Sequence, residues 1–264
     1  MNQKQIEPNN NLPLPVWERV PKWAIPFVVL LIVVLIYFIG QYLVSFILSI
    51  YALLAGMNVT AANRWLDNSI SAQFFYVLLF ESFCVGLLYL TLRHYKRSLK
   101  SLGLNRLKIK YGGIAILAYP VYLLIYFIAV IVITHIYHGL NINQGQNIGF
   151  NSVHGTLQLV LTFISLVVLP PIAEELLFRG FLYEGLKKAM PPIYAGLLTS
   201  VVFAGAHLPE GSSGLFWIGF IDIFSLSLVL VYLKQKTKSL WPGIFLHSIK
   251  NLVAFISLFL LSSR

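Results

Sequence analysis

Three short patterns in this chain place side chains where they can do chemistry. The first reads Glu174-Glu175-Leu176-Leu177-Phe178-Arg179, the second Phe203-x-x-x-His207, and the third His247-x-x-x-Asn251. A carboxylate, two imidazoles and a carboxamide together suit hydrolysis. Glu174 is placed to act as general base toward a water, and His207 to orient or activate that water. His247 and Asn251 can donate hydrogen bonds to an oxyanion as it forms. The same Glu and His groups are also candidate zinc ligands, and zinc would lower the pKa of a bound water. No His-Glu-x-x-His run supports that second reading, and neither a nucleophile elbow nor a Cys–His pair offers a third. Each pattern also has a plain structural reading: an ion pair between Glu175 and Arg179, an interfacial polar residue at His207, and interhelical hydrogen bonding by His247 and Asn251.

The spacing says how helices must hold these groups. Glu175 and Arg179 are four apart, one above the other on a helix, and so are His247 and Asn251. Pro170 and Pro171 precede the Glu pair. They donate no backbone hydrogen bond and disfavour helical geometry at Leu169, so the helix should kink or restart there. In a membrane such irregularity is tolerated only where protein or a water-filled cavity covers it, which predicts a polar cavity beside Glu174. Gly196, Ser200 and Ala204 recur every four residues and form a small-residue face for close helix approach beside Phe203 and His207. Ser239 is a candidate N-cap, and Pro242 is compatible with the first turn of the last helix.

Composition sets the environment. Of 264 residues, 58% are hydrophobic and only 11% charged, with mean hydropathy +0.79. A soluble domain carries roughly 25% charged residues, so a soluble enzyme is excluded, and so is a disordered chain. Apolar blocks long enough to span a bilayer occur at about 25–55, 72–92, 111–137, 154–186, 192–208, 213–233 and 240–261. The fold class is therefore an all-α polytopic bundle of about seven transmembrane helices. Fifteen of the nineteen Lys and Arg residues fall before span 1 and in the loops after spans 2, 4 and 6, whereas only Arg64 and Arg264 fall on the other side. This alternation puts the N-terminus in the cytoplasm of a multi-pass cell (plasma) membrane protein. It also accounts for the net charge of +10 as topology rather than nucleic-acid binding. Residues 1–22 form a polar cytoplasmic terminus without a cleavable signal pattern. Residues 23–150 hold three spans and a basic loop near 93–110, and residues 151–264 carry the chemistry. Cys84 stands alone, which excludes an internal disulfide and a cysteine metal cluster.

Charges inside a bilayer cost about 2.5–3.5 kcal/mol each on insertion scales. Besides Glu174, Glu175 and Arg179, the spans contain Glu81, Asp222 and Lys250, with Asp222 a candidate partner for Lys250. At about 1.5 Å per residue, Glu174 and Asn251 both lie ~20 Å from the lysine-rich edge, with His247 at ~14 Å and His207 at ~24 Å. Convergence into one pocket is expected.

The three motifs, intact and in this order, resemble the CPBP intramembrane proteases. That family includes type II CAAX prenyl endopeptidases and bacteriocin-immunity proteins. The prolines before the Glu pair and Gly180 after Arg179 are also similar to the family. The resemblance covers about residues 157–259, and the first three spans carry none of it. It implies an intramembrane endopeptidase in which Glu174 and His207 activate the attacking water and His247 and Asn251 stabilise the oxyanion. Glu175, Arg179 and Phe203 would be supporting residues. It favours a metal-free reaction over a zinc held by Glu174, His207 and His247. The implied partner is a membrane-associated peptide or protein. Part of the family cleaves prenylated substrates, while the compact lysine-rich form here looks like the bacterial branch. The alternative is a non-catalytic immunity or peptide-binding protein of the same fold.

Overall fold

A computed structural model describes residues 20–261 apart from 95, 152 and 213. The polar terminus up to residue 19 and Arg264 lie outside the described residues, so the expectations placed on them have no structural counterpart. Regular structure among the described residues is helical, apart from one isolated bridge between Gln146 and Gly211.

Helix α1 (Ile25–Leu54) buries Val29, Val33, Ile36, Gly40, Val44 and Leu48, one narrow stripe at helical spacing. Phe27, Leu31, Phe38, Tyr42 and Phe46 point outward and are exposed. A helix apolar all round, with one face covered by protein, is what a bilayer solvates. The stripe packs on α3 (Ile70–His94). A Cβ on Gly40 would stand 3.0 Å from ring carbons of both Phe80 and Phe83, so the close approach needs glycine. Between them lies α2 (Val59–Asn68), a short amphipathic helix outside the expected spans. The Asn58 side chain caps it by accepting from the Ala61 N–H at 2.8 Å.

Helix α4 (Lys110–Ile136) follows, then the composite α5 (Gly155–Leu186). The expected break at the prolines takes a different form. The helix runs on, but residues Ile164–Val168 and Glu175–Leu182 are wound as π-helix around the α-helical turn Leu169–Glu174. Leu169 keeps helical angles (φ −67°, ψ −53°), and the departure falls one residue earlier, at Val168 (φ −108°). A π-turn before the proline pair makes room for the rings without ending the helix.

Helices α6 (Pro192–Ala206), α7 (Trp217–Thr237) and α8 (Trp241–Leu261) complete the bundle. Six helices are long and apolar enough to cross a bilayer, where about seven spans were expected. The difference is α6, whose 15 residues give ~22 Å against a hydrocarbon core of about 30 Å. Its small-residue face meets α7, where a Cβ on Gly196 would lie 2.9 Å from Val231 Cγ1.

Contacts between loops agree with the alternating pattern of the lysines. At the lysine-rich end, Lys234 Nζ donates to Leu102 O (2.7 Å), Asn105 Nδ2 to Lys238 O (3.0 Å) and Trp241 Nε1 to Asn105 O (2.7 Å). At the opposite end, Gln73 Nε2 donates to Asp67 O, while its Oε1 accepts from the Phe150 N–H.

Candidate active site

Glu174, His207, His247 and Asn251 come from α5, the end of α6, and α8, and all four line one cavity of about 820 Å³. Its wall also includes Gln41, Ser45, Tyr76 and Glu81 from α1 and α3, and its far end reaches Asp67, Gln73 and residues 146–151. The differences in depth read from residue counts do not keep the groups apart. His207 lies just past the end of α6, with Leu208–Glu210 turning back in 3₁₀ form.

His247 is buried between the two neighbouring carboxylates. Its Nε2 stands 3.7 Å from Glu174 Oε2, and its Nδ1 stands 3.7 Å from Glu175 Oε1. His207 Nδ1 lies 2.8 Å from the Phe203 carbonyl. A carbonyl only accepts, so Nδ1 carries the proton, and in the neutral ring Nε2 keeps its lone pair. Asn251 is oriented by the proline pair. Pro170 has no N–H for the carbonyl four residues earlier, Leu166 O, and Asn251 Nδ2 donates to that oxygen at 2.9 Å. One amide hydrogen is thus fixed, and the carboxamide is held at the cavity wall.

Behind this layer, Arg179 is fully buried and forks onto two partners. Its Nη1 donates to Glu175 Oε1 at 2.8 Å and its Nη2 to Ser227 Oγ at 2.7 Å. Ser227 donates onward to Ser200 at 2.9 Å. The ion pair expected from spacing is therefore present, joined by Ser227, which the sequence did not single out, and through it by Ser200 of the small-residue face. Phe203 sits at the centre of this packing. Arg179 Cζ lies 4.2 Å from its ring centroid, and the His207 and His247 rings meet it edge-on at 5.0 and 5.9 Å. Gly243, one turn before His247, is a second omission. A Cβ there would stand 2.8 Å from Glu175 Oε2. Its place four residues before His247, on the same face, was the available signal.

Lys250 pairs with Asp222 at 3.3 Å, and Tyr122 from α4 donates to the same carboxylate. Among the described residues, no group of three or more His, Cys, Asp or Glu is arranged to hold a metal ion.

Residues 156–253 match the family described as type II CAAX prenyl endopeptidase Rce1-like. The match supports the resemblance to the CPBP intramembrane proteases. The matched segment contains every motif residue from Glu174 to Asn251, so the candidate site and the family match coincide. Helices α1 to α4 lie outside it, although α1 and α3 supply part of the cavity wall. Comparison with curated proteins and with solved structures gives no match. The protein is an integral multi-pass membrane protein, and the family that its residues 156–253 match is one of proteases.

Proposed function

We propose that the protein is an intramembrane endopeptidase that hydrolyses a peptide bond of a membrane-associated peptide or protein with a glutamate-activated water. The observation that carries this reading is the convergence of Glu174, His207, His247 and Asn251 on one cavity within the bundle. Glu174 takes the proton from the attacking water, and the unprotonated Nε2 of His207 orients it. As the carbonyl becomes tetrahedral, the second amide hydrogen of Asn251 and an imidazole N–H of His247 meet the oxyanion. Glu174 then returns the proton to the leaving amine, which balances the reaction. Arg179, Glu175 and Phe203 hold His247 and His207 in place. The N-terminus is cytoplasmic, in the cell membrane, by the lysine distribution.

The test compares membrane-bound and secreted peptides by mass spectrometry in cells carrying wild type, Glu174→Gln or His247→Ala, with abundance checked by immunoblot. Fragments that need the wild type, with all three proteins equally abundant, are the expected result. Loss of a general base lowers turnover by about 10²–10⁴-fold. Purified protein should keep its activity in the presence of a chelator, and loss with recovery on adding zinc would replace the metal-free mechanism. Identical fragments from all three proteins would mean that the cavity binds peptide without cutting it, as an immunity or sequestering protein would.

A further inference from the structure

Glu81 is a buried carboxylate of the cavity wall to which the proposed reaction gives no task. It projects from the middle of α3, is only 7% exposed, and lines the same cavity as Glu174. Helix α3 packs on the Leu169–Glu174 turn that carries Glu174. Among the described residues, Glu81 has no ion-pair or hydrogen-bond partner. Lys250, the lysine of the same wall, is committed to Asp222 at 3.3 Å. Asp67 stands exposed at the cavity's far end. Among the described residues, the cavity wall from the lysine-poor end toward Glu174 therefore carries acidic groups, and its lysine is already paired with Asp222. A carboxylate buried at bilayer depth is costly unless a cation or donors meet it.

We propose that Glu81 is a cation-binding subsite, which takes a Lys or Arg side chain or the free amino terminus of a peptide entering from the lysine-poor end. The proposal rests on the protease reading for its position next to the scissile bond. It makes Glu81 a specificity-determining residue for basic peptides.

The experiment uses the full-length protein in lipid nanodiscs and quenched fluorescent peptides carrying Lys, acetyl-lysine or Glu at each position, with free or acetylated amino termini. Wild type should cleave at a fixed distance from one Lys. Acetylation of that Lys should raise KM by at least about 30-fold, since truncating one side of a buried charge pair is strongly felt. Glu81→Gln should erase the difference with kcat little changed, and Glu81→Asp should keep part of it. If acetylating the amino terminus alone produces the loss, the bound cation is the terminal ammonium. Equal KM values in wild type, or the same discrimination in Glu81→Gln, overturn the subsite. Binding of the same peptides to Glu174→Gln, read by fluorescence anisotropy, separates the two claims. Lysine-selective binding that Glu81→Gln removes, without cleavage by wild type, keeps the subsite and sinks the protease. Cleavage without charge selection does the reverse, and no binding to either protein overturns the subsite.

Discussion

Arg179 holds the residue-scale design together. Its fork reaches Glu175 and Ser227 at once, and its plane covers the Phe203 ring against which both histidines rest. Lysine is not equivalent, because a point charge on a flexible stem cannot serve two partners and a ring together. Arg179→Met leaves the Glu175 carboxylate alone in a fully buried position and should cost about 3–5 kcal/mol. Thermal unfolding of the solubilised protein and membrane abundance both read this loss. Pairing the change with Glu175→Gln should recover part of it. Single and double variants with the melting temperature of wild type would mean that the pair does not hold the site.

At the scale of the element, α5 turns a sequence defect into a positioning device. Pro170 removes one backbone donor, Leu166 O is released from the helix, and Asn251 of α8 takes its place. The π-turn Ile164–Val168 absorbs the ring that would otherwise collide with the preceding turn. Pro170→Ala restores the N–H and lets the helix reclaim its carbonyl. Stability should then stay level or rise, while turnover falls by about ten-fold or more because Asn251 loses its anchor. Melting temperature and peptide cleavage, measured on one preparation, distinguish this from simple damage. Full activity in Pro170→Ala would show that the Asn251–Leu166 bond does not position the carboxamide.

For the whole molecule, sidedness decides which compartment the cavity opens toward. The lysine-rich loops meet one another through Leu102, Asn105, Lys234 and Lys238, and the cavity's far end lies among residues 66–73 and 146–151 on the opposite side. A cysteine at Asn147 should react with a membrane-impermeant thiol reagent in intact cells, whereas one at Lys100 should react only after permeabilisation. Cys84 is buried and adds little background. The reverse labelling pattern would turn the protein over in the membrane and place the cavity mouth in the cytoplasm.

The sequence determined the solvent, the long helices and which polar groups lie inside them. Each of these follows from local composition or from spacing along one helix: apolar runs of bilayer length, lysines between them, and i, i+4 pairs such as Glu175–Arg179. It could not decide which separate helices meet, because such contacts depend on crossing and packing rather than on periodicity. That is why Ser227 behind Arg179, Gly243 against Glu175, the Asn251–Leu166 bond and the Tyr122 hydroxyl on the expected Asp222–Lys250 pair became visible only in three dimensions. Helix α2 escaped because ten amphipathic residues are too few and too polar to register as a span. Glu81 could be named from its cost in a bilayer, but its place in the same wall as Glu174 was decided by the packing of α3 on α5.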